Sequence, residues 1–158
     1  MKNILGLTAL AVVLLAALPA SAQKATAKPE PKGGLALAWL LPQDSLKDTH
    51  DKGYGIHMFF AYQLADKMDL SMTTGWNRLL ADSEAEGAED FTMWEFTAGP
   101  RARISLFYLG IEGGWFTKID EFGWVPNAGV RYKRFDVGYR MKTSGETKVH
   151  TIRAGYFF

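Results

Sequence analysis

From residue 33 to the C-terminus, apolar and polar residues alternate with a period of two, in eight segments separated by polar breaks. That period belongs to extended strands with one apolar and one polar face. The first segment, 34–42, sets Leu35, Leu37, Trp39 and Leu41 against Ala36 and Ala38. The second, 53–64, sets Ile56, Met58, Phe60, Tyr62 and Leu64 against His57, Phe59, Ala61 and Gln63. The third, 69–79, sets Leu70, Met72, Thr74 and Trp76 against Ser71, Thr73, Gly75 and Asn77. The fourth, 92–103, alternates Trp94, Phe96, Ala98, Pro100 and Ala102 with Glu95, Thr97, Gly99, Arg101 and Arg103.

The later segments repeat the design. Residues 106–116 place Phe107, Leu109, Ile111 and Trp115 opposite Tyr108, Gly110, Glu112 and Gly114. Residues 122–133 place Trp124, Ala128, Val130 and Tyr132 opposite Asn127, Gly129, Arg131 and Lys133. Residues 135–142 place Phe135, Val137, Tyr139 and Met141 opposite Asp136, Gly138, Arg140 and Lys142. The terminal segment places Ile152, Ala154, Tyr156 and Phe158 opposite Thr151, Arg153 and Gly155. Breaks near Asp66-Lys67, near Ile104-Ser105 and near Arg134 are short, whereas 43–52, 80–91, 117–121 and 143–149 read as longer polar loops. Short turns alternating with longer loops around an even number of strands predict an antiparallel eight-stranded up-and-down transmembrane β-barrel, all-β, with both termini in the periplasm.

The aromatic residues also sort by position along the strands. Trp39, Trp76, Trp94, Trp115 and Trp124 all fall on the apolar face, near the long loops. Tyr62, Phe107, Tyr132, Phe135, Tyr156 and Phe158 fall near the other strand ends. Amphipathic rings gather at membrane interfaces, and two girdles are expected around a barrel. A water-soluble barrel would put its apolar face inside and gain nothing from a rim of outward Trp.

The N-terminus fits the same destination. Lys2 gives a positive start, Ile4 to Leu18 is almost wholly apolar, and Pro19-Ala20-Ser21-Ala22 supplies small residues for cleavage. This is the pattern of a secretory signal peptide removed after Ala22, with the bacterial outer membrane as destination. Residues 1–22 are therefore assigned to the signal, 23–32 to a polar periplasmic lead-in rich in Lys and Pro, and 33–158 to the barrel. Without Lys2 the chain has 17 basic and 17 acidic residues, a balance that offers nothing to nucleic acid. There is no Cys, so disulfides contribute nothing to stability.

Taken together, the signal peptide, the Ala98-Gly99-Pro100-Arg101 and Gly129-Val130-Arg131-Tyr132 strands and the Ala154-Gly155-Tyr156-Phe157-Phe158 ending resemble the small OmpA/OmpX-like outer-membrane barrels of Gram-negative bacteria. The resemblance covers Gly33 to Phe158. It implies insertion by the barrel-assembly machinery, which reads a terminal Phe, and contact with outer-membrane lipid and lipopolysaccharide. The family ranges from structural anchors to adhesins and lipid enzymes. No peptidoglycan-binding domain is expected after the last strand, which weakens an anchoring role.

The polar face carries the candidate chemistry. Glu95, Arg101, Arg103, Glu112, Arg131, Asp136, Arg140 and Arg153 are expected to form an ion network in the lumen, because eight strands enclose space for side chains only. Bases outnumber acids, so Glu95 and Glu112 are each expected to serve more than one Arg, whose planar fork suits that role. Arg140 and Arg153 are expected nearly opposite each other, with Glu112 or Glu95 between them. A lipid A enzyme of this size would pair a His with a Ser, but His57 and His150 have Phe59 and Ile152 two residues on, and His50 lies in a loop. The loop 82–90 holds five carboxylates in nine residues, without the spacing of a calcium loop. No cofactor and no resident metal is expected, and the chain should be a monomer. The sequence therefore points to a non-enzymatic envelope protein with loops available for binding. A narrow pore for ions or small solutes is the second reading, and a lipid A-modifying enzyme the third.

Overall fold

The computed structural model of the 158-residue chain describes residues 32–85, 87–117, 121–145 and 147–158. The signal peptide, nearly all of the lead-in and Glu86 of the acidic loop lie outside the described residues. The strands are β1 (Lys32–Gln43), β2 (His50–Ala65), β3 (Met68–Ala81), β4 (Phe91–Ile104), β5 (Phe107–Phe116), β6 (Glu121–Tyr132), β7 (Phe135–Ser144) and β8 (Thr147–Phe157). Each pairs antiparallel with its neighbours in sequence, and β1 closes on β8 from Gly34 opposite Phe157 to Gln43 opposite Lys148. The result is the expected closed eight-stranded up-and-down barrel.

The period-two pattern resolves into an inner and an outer wall. Leu37, Leu109 and Phe107 are 70%, 68% and 64% exposed, while Ala36, Phe59, Tyr108 and Val125 of the alternate positions are buried. A continuous exposed apolar wall of this size is a lipid-facing surface rather than a water-facing one. On β6, Trp124 and Tyr132 mark its two edges. At about 3.3 Å per residue and a 35–45° tilt, the eight steps between them span about 20 Å of bilayer, near the ~25 Å apolar band of such barrels.

The two proline-bearing strands show how closure is accommodated. The β4–β5 ladder is interrupted between the Ala98–Gly113 and Arg101–Gly110 pairs, and the β6–β7 ladder between Trp124–Thr143 and Asn127–Arg140. Pro100 and Pro126 lie in these gaps, where a missing N–H leaves no ladder bond unmade.

Several boundaries differ from expectation. β1 begins at Lys32, one residue inside the expected lead-in. Where a loop is expected over 143–149, β7 runs to Ser144, β8 begins at Thr147 and those two residues pair, with Gly145 at φ +54°. The loop expected over 43–52 shrinks to 44–49, which contains a 3-10 turn at Asp44–Leu46. In both places polar residues continue the strand pairing, because a ladder needs backbone groups and not apolar side chains. The turn expected near Ile104-Ser105 is Ser105-Leu106. Lys133, expected in the lumen, is exposed in the β6–β7 turn at φ +54°; a two-residue hairpin takes it out of the strand. Gln63 also faces solvent, beside a register shift between Gln63 and Ala65.

Candidate functional site: the charged lumen

The lumen is layered along the barrel axis. At the loop end, Leu40, Leu79 and Val149 form one buried apolar cluster and Met93, Phe116 and Val125 another, with Phe91 packed on both. At the turn end, Phe59 meets Phe157 edge-on with 4.5 Å between ring centres, beside Ala36 and Ala61. Most of the charges lie between these caps; Arg103, partly exposed, reaches the Asp66 carbonyl of the turn end at 3.3 Å.

The upper charged layer centres on Arg140 of β7. Its guanidinium donates to Glu95 of β4, to Glu112 Oε2 of β5 at 2.7 Å and to Thr97 Oγ1 at 2.9 Å. Lys142, one inward position further along β7, pairs with the other oxygen of Glu95 and donates to Asn77 Oδ1 at 2.9 Å. Asn77 in turn donates to Glu95 at 3.3 Å and bonds the His57 ring at 2.9 Å. Glu112 accepts from Ser71 at 2.7 Å and Thr97 at 2.6 Å, with Arg101 Nη2 3.6 Å away. Arg101 donates to that same Ser71 at 2.7 Å, so one hydroxyl relays between acid and base. Glu95 and Glu112 have no exposed surface, so each carboxylate depends on these donors.

The lower layer centres on Asp136. Its Oδ1 accepts from Arg153 and from the Tyr108 hydroxyl, both at 3.1 Å, and Arg131 Nε lies 3.6 Å from Oδ2. Gly129 and Gly138 leave the room this needs, since a Cβ at either would collide with the Tyr108 hydroxyl. Arg103, half-buried, pairs with Asp69 at 3.0 Å. Counted over both layers, six bases (Arg101, Arg103, Arg131, Arg140, Lys142, Arg153) meet four acids (Asp69, Glu95, Glu112, Asp136). Aromatic faces take part of the excess. Arg101 lies 4.3 Å over Tyr108, Arg131 3.9 Å over Phe157 and Arg153 4.6 Å over Phe59, within the range of cation–π attraction.

All eight sequence-derived lumen residues thus lie on the inner wall, in two layers that meet where Arg101 stacks on Tyr108. Arg140 and Arg153 are not opposite each other: Arg140 faces Thr151, and Arg153 faces Gly138. The Ser144–Thr147 pairing, which brings β7 and β8 together further along than a loop over 143–149 allows, sets that register. Glu112 and Glu95 both reach Arg140, while Arg153 takes Asp136 instead. Glu112 is near two Arg; Glu95 holds one Arg and one Lys. Asp69 and Lys142 were missed as network members. Both keep the parity of neighbouring lumen residues, Asp69 with Ser71 and Thr73 and Lys142 with Arg140, and that parity would have found them.

The remaining polar groups are occupied locally. His50 sits between Thr49 Oγ1 at 2.8 Å and the Glu89 carbonyl at 3.1 Å, and His150 bonds the Tyr139 hydroxyl. In the acidic loop, Asp90 accepts from Arg78 at 2.6 Å and from the Ala81 N–H at 3.0 Å. That N–H, followed by Arg78, holds the Asp90 carboxyl below its ordinary value. Asp82 caps Glu84 N at 2.9 Å.

On the outer wall, Trp39 is paired across from Tyr54 and Trp76 from Trp94, and Trp115 from Phe122, which stacks edge-on with Trp124 at 5.3 Å. At the turn end Tyr132, Phe135 and Tyr156 are successive cross-strand partners, and Phe158 is 71% exposed.

Comparison with protein-family models and with curated protein sequences returned no match. Solved structures do match. Ail, the attachment invasion locus protein of Yersinia pestis, is 18% identical with a TM-score of 0.52, over 84% of this chain and 100% of that one. Neisserial surface protein A is 14% identical with a TM-score of 0.56, over 80% of this chain and 95% of that one. A de novo designed transmembrane β-barrel is 12% identical with a TM-score of 0.54, over 84% and 98%. Likeness at these identities is likeness of fold. With its lipid-facing wall, its paired girdles and its filled lumen, the chain has the fold of the small eight-stranded outer-membrane β-barrels.

Proposed function

We propose that this protein is a non-enzymatic resident of the bacterial outer membrane that contributes to envelope integrity, with its short turns in the periplasm and its loops at the cell surface. The carrying observation is the closed lumen: buried ion pairs between two apolar caps leave the lipid-facing wall and the loops as the surfaces available for work. This packing supports a structural role over a narrow pore. The partners of His50, His57 and His150 (Thr49 and a carbonyl, Asn77, Tyr139) support it over a lipid A enzyme, which would need a Ser beside a His.

Barrel assembly by the outer-membrane machinery and contact with lipopolysaccharide belong to the same reading. One structure of Ail holds the heparin analogue sucrose octasulfate, at 18% identity and a TM-score of 0.51 over 84% of this chain and 100% of that one. A polysulfate does not suit the loop end here. Among the described residues its exposed carboxylates Asp44, Asp48, Asp51, Glu84, Glu89 and Asp90 outnumber Lys47, Lys52, Arg78 and Lys148. Surface binding through these loops would favour cationic partners.

The test is a deletion strain scored for uptake of a hydrophobic dye across the outer membrane. Deletion should raise uptake, and plasmid-borne protein should restore the barrier. Unchanged uptake together with altered lipid A mass would replace this function with an enzymatic one.

A further inference from the structure

We propose that the outer wall holds one anionic phospholipid, with an acyl chain in a depression over β5–β8 and its phosphate at the β6–β7 turn. The depression has a volume of about 340 Å³ and faces the lipid. It exists because the small side chains of Ala128, Val130 and Val137 lie between the larger Phe107, Tyr139 and Ile152. Lipid must cover it, since an empty apolar hollow forfeits dispersion contacts along its lining.

A second observation fixes the headgroup. The next outward row toward the turn end is Tyr132, Phe135 and Tyr156, and beyond it lie Lys133 and Arg134. Arg134 Nη1 donates to the Tyr156 hydroxyl at 3.1 Å, and Lys133 Nζ sits 5.3 Å from the centre of the Tyr132 ring. Both cations are thus held at the aromatic collar, and among the described residues neither makes an ion pair. Val130 is three residues from Lys133, about 10 Å along the strand at 3.3 Å per residue. A lipid with its upper methylenes over Val130 therefore brings its phosphate to the level of the turn, where Arg and Lys are suited to hold it.

Charge selects an anionic headgroup. Among the described residues, the exposed ionisable side chains of the turn end are Lys32, Lys67, Lys133 and Arg134 against Asp66. A second copy of the chain is a poorer occupant, because a two-fold contact over this hollow would bring the Lys133 and Arg134 pairs of the two copies together.

Native mass spectrometry of the full folded barrel, released from nanodiscs of equal phosphatidylglycerol and phosphatidylcholine, tests the site. Heat-dependent gel migration checks that each variant is folded. The intact protein should retain phosphatidylglycerol over phosphatidylcholine by about tenfold. Lys133→Gln with Arg134→Gln should abolish the preference, Ala128→Phe should reduce retention of both lipids, and Lys67→Gln should change neither. Equal retention of the two lipids by the intact protein would overturn the proposal. So would a loss with Lys67→Gln as large as with the double variant, which would mean diffuse charge, or a dimer that Ala128→Phe disrupts.

Discussion

Arg140 takes both carboxylates of the upper layer, so the cost of cutting either link depends on what the other leaves behind. Glu112→Gln leaves Arg101 with Ser71 and removes one of the two acids on Arg140. Breaking a buried pair of this kind costs about 3–5 kcal/mol. Urea unfolding in lipid vesicles should show that loss. The Glu112→Gln and Arg140→Gln variants should couple by about 0.5–3 kcal/mol in a double-mutant cycle. Strict additivity would mean that the two side chains do not share an interaction. At the loop surface, Asp90 offers a pH readout. Its carboxyl is held below its ordinary value, so its links to Ala81 and Arg78 are complete above the usual carboxylate range and are lost as pH falls through the lowered value. An NMR titration should place Asp90 below a free Asp. Arg78→Gln should remove only part of the depression, because the Ala81 N–H is its largest cause. A midpoint at or above that of free Asp would show that these bonds do not persist in solution.

At the scale of strands, the outer wall and the rim make separable predictions. Leu109 is the cross-strand partner of Ala128, midway between Trp124 and Tyr132, so Leu109→Arg should cost about 2–4 kcal/mol, against about 0–1 for Phe135→Arg at the collar. Equal costs measured by reversible unfolding in bilayers would mean the wall is not layered by depth. Phe158 is mostly exposed and bonds Gly33 only through its backbone, at 3.0 Å. Phe158→Ala should therefore leave the stability of the folded barrel within about 0.5 kcal/mol while slowing insertion in cells. Equal loss of stability and insertion would make the ring a structural element. Strand existence, strand order and the inner and outer faces were legible in the sequence, because a period of two survives whatever residue fills each position. The designed barrel with this fold at 12% identity makes the same point. Strand ends were less legible: polar residues at 143–144 and 147–148 pair as well as apolar ones do, and nothing in their side chains announces it. The pairing of those residues sets Arg140 opposite Thr151 and leaves Arg153 to Asp136. The partition into two charged layers could not be read for the same reason. It depends on register, and one displaced pairing shifts every cross-strand neighbour.

For the molecule as a whole, the layers explain one another. The lipid-facing wall requires the backbone of the strands to find its partners within the barrel, and closure of β1 on β8 leaves no edge strand. The inner wall then has charges to place, and six bases, four acids and three aromatic faces form a packing that fills the lumen between apolar caps. Such a barrel should resist detergent at room temperature and change its gel migration only on boiling. Recovery of the protein from the soluble periplasm would contradict a membrane wall. The filled lumen is the claim on which the functional reading rests, and planar-bilayer recording of the refolded protein tests it most directly. A filled lumen should leave the bilayer silent at moderate voltage; a steady, ohmic single-channel conductance from the unmodified protein would contradict it and make the pore reading the leading one.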